Sequence, residues 1–266
     1  MKVNQLLRLY EQGERDFLGI DLMSLDLQQV TLIAVNFAAA NLRGTNLSRS
    51  FLTKSNLRGA SLNWANLTYA KLSQAQLVEA DLTKANLTGA FMVQANLRNS
   101  RLSGADLSHA NLRGANLCGA NLCGANLYLV NLLEANLDKV NLNWANLQEA
   151  RLSGAKCRQI SAREANFSGS FLKEVDFQGA NLERANFSEA RLTGSDLRGA
   201  NLAGANLAGA RLQEINLQGA DLRGANLTGT CFESVTGWTE TAQEDDIFPL
   251  DWFQRGVGCR VLPILR

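Results

Sequence analysis

One regularity constrains this chain before anything else: from Phe17 to Phe232, every residue whose number ends in 2 or 7 is Leu, Phe or Met, with Cys157 and Ala162 the two exceptions. That makes 44 consecutive units with no insertion or deletion. Positions ending in 0 or 5 are as disciplined: of the 39 between Ala40 and Thr230, 27 are Ala, 7 are Ser or Thr and 5 are Val or Ile. Helix and strand side-chain periods of about 3.6 and 2 drift out of phase with such a pattern within a few units, so neither element accounts for it. The chain must turn once per pentapeptide. All 18 glycines from Gly19 to Gly229 fall two residues after the central apolar residue, which marks a turn position favouring positive φ. Both prolines, Pro249 and Pro263, lie beyond the last repeat, as expected of a backbone ladder that uses its N–H groups.

Units such as Ala115-Asn116-Leu117-Cys118-Gly119 and Ala225-Asn226-Leu227-Thr228-Gly229 match an A(D/N)LXX signature, and the chain resembles the pentapeptide-repeat proteins over about four fifths of its length. That resemblance implies an all-β fold, a right-handed quadrilateral β-helix. Four pentapeptides would form each square coil, with the central and small residues inward and the other three outward. Divided by four, the 44 units give about 11 coils; at a strand spacing of ~4.8 Å the rod is roughly 53 Å long. Each buried leucine contributes roughly 1.5–3 kcal/mol. Ile160, a bulky corner residue, is flanked by the small centres Cys157 and Ala162, which reads as volume compensation in a close-packed interior. Phe167 and Phe187 are 20 residues apart and are expected to stack, as are Phe17 and Phe37.

The sequence divides into three segments. Val3, Leu6, Leu7 and Tyr10 fall at helical spacing before Gly13, so residues 3–12 predict a short amphipathic helix, and residues 1–15 an N-terminal helical cap. Residues 16–234 form the β-helix, and residues 235–266 either cap its far end or dock a partner. The stretch Gly13-Glu14-Arg15-Asp16-Phe17 resembles the entry into the first repeat of cyanobacterial pentapeptide-repeat proteins, in particular the HetL-like group. This resemblance implies a regulatory role in heterocyst differentiation.

Several function classes are excluded on composition and motif. The single histidine, His109, sits in an outward slot with no nucleophile beside it except the repeat's own serines, so no Ser-His or Cys-His catalysis is expected. No P-loop or GxGxxG spacing occurs outside the repeat's own glycines. Asn66, Asn86, Asn166 and Asn186 match glycosylation sequons, but the repeat writes these by itself. The five cysteines include no CxxC pair or metal-ligand spacing; Cys118 and Cys123 point in diverging directions from adjacent faces and read as free thiols of a reducing compartment. No signal peptide and no apolar run of ~20 residues is present. The expectation is a cytoplasmic protein with no catalytic residue, cofactor, metal, membrane or small-molecule substrate.

Function then falls to the outward faces. With an unbroken register, residues 20 apart share a column. The sides centred on Leu22 and on Phe17 each carry six basic and five acidic residues, the former with Trp64 and Trp144 in one column; the side centred on Leu27 is charge-poor after Asn86. The side centred on Leu32, Leu52 and Leu72 differs. It carries Phe51, Phe91 and Phe171 in a slot usually held by Asn or Asp, with Ile33, Val93 and Leu133 nearby. Its basic residues, Lys54, Lys71, Arg113, Arg151, Lys173, Arg191 and Arg211, outnumber Glu134, Glu174, Glu214 and Glu233. Exposed aromatics with arginine are what protein interfaces favour, so Phe51, Phe91, Val93, Leu133, Phe171, Arg151, Arg191 and Arg211 form the candidate partner-binding face of a regulatory protein-protein scaffold. The alternative is topoisomerase protection by DNA mimicry, known among pentapeptide-repeat proteins. A duplex mimic needs dense negative charge, whereas the outward slots of residues 16–234 hold 20 basic and 18 acidic residues, which suit neither a mimic nor a nucleic-acid binder.

Overall fold

The computed structural model describes residues 2–237. Most of the segment expected to cap the rod or dock a partner, residues 238–266, therefore lies outside the described residues.

Each pentapeptide makes one β-turn. The carbonyl of the central residue accepts the N–H three residues on, as from Ala40 to Phe37 at 3.1 Å and from Ala120 to Leu117 at 2.8 Å. The third turn residue has positive φ in every unit from Gly19 to Ser234; 18 of these 44 residues are glycine and 26 are not. Positive φ there is the signature of a type II turn. Because every unit turns the same way, each coil closes after four units and lies on the next. Parallel bridges join residues 20 apart without interruption, from Asp16 and Asn36 to Asn216 and Thr236. Each rung is bonded on both sides: Leu22 donates to the Asn41 carbonyl, and Asn41 to that of Ile20, both at 2.8 Å. The ladder extends into short strands only at β1, Arg211–Gln213, and β2, Cys231–Glu233, which pair in parallel with Leu212 opposite Phe232.

The central leucines and phenylalanines are buried in one continuous core, with Leu222 and Phe232 partly buried at its C-terminal end, and the corner alanines fill the angles of each coil. Corner hydroxyls are satisfied by carbonyls: Ser100 donates to Leu97 at 2.6 Å, and Thr45 to Leu22 one coil back at 2.8 Å. The turn's closing bond ranges from 2.8 Å at Ala155 to 3.3 Å at Val175. Cys157, Ile160 and Ala162 are all buried, so the small centres do sit beside the large corner. Phe167 and Phe187 stack with centroids 4.8 Å apart and planes 3° apart, and Phe177 meets both edge-on. The stack expected of Phe17 and Phe37 does not form; their rings are tilted by 40° at 5.7 Å. Phe17 belongs to the first coil, where no earlier rung holds its ring parallel.

The helix α1 runs over Val3–Glu11 and buries Leu6 against the same core. Tyr10 turns its hydroxyl to the rod, where Oη accepts the Ile33 N–H at 3.1 Å. Its ring is covered by the Arg15 guanidinium, with Cζ 3.8 Å from the centroid. Gly13, at φ 95°, ends the helical segment.

Candidate functional site

What makes one face distinctive is best seen against the usual outward slot. In most units the residue before the central one is Asn or Asp, whose side-chain oxygen accepts the N–H two residues on, and in many the Asn amide also donates to the preceding coil. Asn206 does both: Oδ1 accepts the N–H of Ala208 at 3.2 Å, and Nδ2 donates to Asn186 Oδ1 of the preceding coil at 3.1 Å. The first rungs are Asp16, Asp21 and Asp26, which accept from Asn36, Asn41 and Asn46 at 2.7, 2.8 and 2.9 Å. A carboxylate, which only accepts, suits a rung with no earlier coil to receive an amide N–H.

On the side centred on Leu32, Leu52 and Leu72 this ladder is broken. The column reads Thr31, Phe51, Lys71, Phe91, Asn111, Asn131, Arg151, Phe171, Arg191 and Arg211, each bridged to the next. Phe51, Phe91 and Phe171 are 43%, 38% and 39% exposed, large fractions for side chains of this kind. Val93 and Leu133 are half-buried beside the column, and Arg151, Arg191 and Arg211 are exposed. Two of the rings carry cations: Lys71 Nζ lies 3.1 Å from the Phe91 centroid, and Arg191 Cζ lies 4.8 Å from that of Phe171. Such contacts hold a charge over a π face and keep ring and cation exposed together. Of the acids on this side, Glu134 pairs with Arg113 at 3.3 Å and Glu174 with Lys173 at 3.2 Å. Lys71, Arg151, Arg191 and Arg211 form no ion pair among the described residues.

The N-terminal part of the column borders an open groove of about 720 Å³, lined by Gln29, Arg49, Phe51, Tyr69, Lys71 and Phe91. Arg49 and Tyr69 belong by unit to the neighbouring side, so a reading of the chain side by side passes over them. Their signal is positional. Both stand in the turn slot just before the corner, from which a long side chain reaches the next face. Twenty residues after Tyr69 stands Gly89, where a Cβ would run into the tyrosine ring.

The other chemically suggestive residues stay apart. His109 is exposed and meets Tyr128 edge-on at 5.7 Å. Cys118 and Cys123 are free and half-buried. Burial, followed by the nearby Asp138 and Asp176 carboxylates, pushes the Cys157 thiol far above its ordinary range, which makes it an inert core residue. Among the described residues no cluster of three or more His, Cys, Asp or Glu could hold a metal ion, and no helix is long and apolar enough to cross a membrane.

A chain that turns every five residues, bridges at 20 and buries Leu and Ala in register is a pentapeptide-repeat β-helix, and the protein belongs to that family: its pentapeptide repeats match in 8 copies, over residues 20–59, 60–99, 100–137, 115–154, 163–199 and 200–236. Members of the family form right-handed β-helices. Among solved structures the chain is similar to HetL, a pentapeptide-repeat protein involved in heterocyst differentiation regulation from the cyanobacterium Nostoc sp. strain PCC 7120. The two share 37% identity over 86% of this chain and 94% of that one, with a TM-score of 0.54. It is also similar to alr5209, another Nostoc pentapeptide-repeat protein, at 32% identity over 40% of this chain and 80% of that one, with a TM-score of 0.36. QnrB1, a plasmid-mediated fluoroquinolone resistance protein, matches at 21% identity over 82% of this chain and 89% of its own, with a TM-score of 0.32, a likeness too low to carry function. No curated protein matches the chain.

Proposed function

We propose that the protein is a non-enzymatic, cytoplasmic, regulatory scaffold that binds a protein partner on the side bearing Phe51, Phe91 and Phe171, together with Val93, Leu133, Arg151, Arg191 and Arg211. One observation carries this reading: along a single column the self-satisfying Asn/Asp ladder is given up for exposed rings and unpaired cations, which the fold itself does not require. Aromatic side chains and arginine are the residues that dominate binding energy at interfaces. The likeness to HetL supports placing the role in regulation of differentiation in a filamentous cyanobacterium.

In this reading residues 16–234 are one rod of eleven coils. Residues 1–15 close its first coil through α1, by way of buried Leu6 and the Tyr10 to Ile33 bond. Residues 235–266 either close the far end or add a second docking element. The balance of 20 basic to 18 acidic outward residues argues against a duplex mimic, whose surface must be densely negative. Comparative capture from an extract of a filamentous cyanobacterium tests the reading. A protein retained by the wild type and by a Trp64→Ser/Trp144→Ser variant, but lost with Phe51→Ser/Phe91→Ser/Phe171→Ser, supports it. Equal retention on all three overturns the choice of face.

A further inference from the structure

The Phe side differs from the other three in its backbone as well as in its side chains. Where the slot is Asn or Asp, the side-chain oxygen accepts the N–H two residues on; on this side Asn111 does so for Arg113 and Asn131 for Leu133, both at 3.2 Å. Phe, Lys and Arg bring no such oxygen. The N–H groups of Thr53, Ser73 and Val93, and again those of Ser153, Lys173 and Thr193, consequently have no protein acceptor among the described residues. They form two runs over consecutive coils, divided by the two Asn rungs. On the other sides such gaps occur singly, at Asn63, Val78 and Ser103. Elsewhere an oxygen arrives from the coil before: the Arg158 N–H is taken by Asp138 at 3.0 Å and that of Arg163 by Asn143 at 2.9 Å.

Backbone donors are seldom left without a partner. Those of the first run face the position that an Asn oxygen fills on neighbouring rungs, at the outer surface beside Phe51, Lys71 and Phe91. The rung just before the run shows what fits there. Ile33, two residues after Thr31 of that column, donates its N–H at 3.1 Å to the phenolic oxygen of Tyr10, delivered from α1. An oxygen from another part of a polypeptide thus already stands in for the missing Asn side chain.

The groove borders the same three rungs: Phe51, Lys71 and Phe91 line it, and the N–H groups of Thr53, Ser73 and Val93 stand two residues further along each rung. Its charged lining residues are Arg49 and Lys71, no carboxylate lines it, and Phe51, Tyr69 and Phe91 supply rings. Donors and cations set among rings call for negatively charged oxygens next to an apolar group. Resting on the reading of this side as the partner-binding face, we propose that the groove receives an extended acidic segment of the partner protein. Its carboxylate oxygens take the N–H groups of Thr53, Ser73 and Val93, and a large apolar side chain packs on Phe51 and Tyr69. Three rungs at ~4.8 Å span roughly 10 Å; two carboxylates on alternate residues of a strand, ~6.8 Å apart and each with two accepting oxygens, cover that span. A single-stranded nucleic acid fits less well. Lys71 already covers one face of Phe91, removing a stacking platform, and a balanced surface offers no basic track for a backbone.

The probe is a fluorescein-labelled peptide, Asp-Glu-Asp-Phe-Glu-Asp-Glu, compared by anisotropy with its Asn/Gln counterpart and with a labelled oligo-dT. Wild-type protein is expected to bind the acidic peptide at least tenfold more tightly than the neutral one and more tightly than oligo-dT. The discriminating variant is Phe51→Asn/Lys71→Asn/Phe91→Asn, which restores the oxygens and fills the N–H groups. It should melt at or above the wild-type temperature yet lose at least tenfold in affinity for the acidic peptide, as should Arg49→Glu/Lys71→Glu. The proposal is overturned if the neutral peptide binds as well as the acidic one, if oligo-dT binds more tightly, or if the Asn variant keeps its affinity. With a purified partner, binding weakened by Phe171→Ser but not by the Asn variant leaves the face standing and removes the groove; normal binding by Phe51→Ser/Phe91→Ser/Phe171→Ser removes both.

Discussion

The rings of Phe167 and Phe187, one coil apart, lie parallel with centroids 4.8 Å apart, and Phe177 closes on both at 6.2 Å. Three large side chains thus share a stretch of core in which Cys157 and Ala162 have given up volume. Replacing Phe187 with Ala should cost about 3–5 kcal/mol. Replacing exposed Arg113 with Ala should change stability by less than about 0.5 kcal/mol. Thermal melts followed by circular dichroism compare the two, and similar losses would contradict the assignment of inside and outside.

The five-residue register is as open to measurement as the packing. One residue inserted after Gly119 turns every later Leu away from the axis, whereas five residues restore the phase one unit on. The single insertion should abolish cooperative melting of the full rod, and the five-residue insertion should retain it. Equal behaviour of the two would mean that the 20-residue bridges do not set the fold.

The turn position offers a cleaner measurement of backbone strain. Gly124 has φ 63° and nothing within 4 Å of where a Cβ would stand, so Gly124→Ala isolates conformational cost from clash. About 1 kcal/mol is expected, a drop of about 2–4 °C in a chain of this size. An unchanged melting temperature would show that the turn, not the residue, dictates this φ.

Two surface carboxylates should give the fold a weak acid dependence. Hydrogen bonds from Arg198 and Arg223 hold Asp196 and Asp221 below the ordinary carboxylate value of 3.8. A lowered folded-state value means that the stabilisation is complete above that pH and is lost as pH falls through the folded-state range. Both pairs are partly exposed, so their worth is small. Relative to wild type, Arg198→Leu/Arg223→Leu should melt about 1–3 °C lower at neutral pH, and the gap should narrow as the pH falls below 3.8. A gap that widens on acidification would reverse the sign.

The rod was legible in the sequence because Leu at every fifth position and glycine in one slot report the inward column and the turn directly. The turn proved more general than its glycines: Trp64, Tyr69 and Trp144 adopt the same positive φ. Continuous bonding to the neighbouring coils outweighs a local preference worth about 1 kcal/mol. The Asn/Asp ladder was not legible in the same way, since a period of five marks a slot as outward without showing what its amide bonds to. For the same reason the reach of Arg49 and Tyr69 around the corner escaped a reading by sides. The tilt of Phe17 against Phe37 escaped it too, because a spacing of 20 fixes the column but not the ring plane.

The most direct test of the central claim is the affinity of one purified partner for two variants of equal stability. Phe51→Ser/Phe91→Ser/Phe171→Ser removes the rings of the proposed face, and Trp64→Ser/Trp144→Ser removes two exposed rings from the adjacent side. Being outward, neither set should lower the melting temperature by more than a few degrees. A rise in Kd of at least tenfold is expected for the phenylalanine variant, about 1.4 kcal/mol, and an unchanged Kd for the tryptophan variant. Wild-type affinity in the phenylalanine variant would contradict the claim.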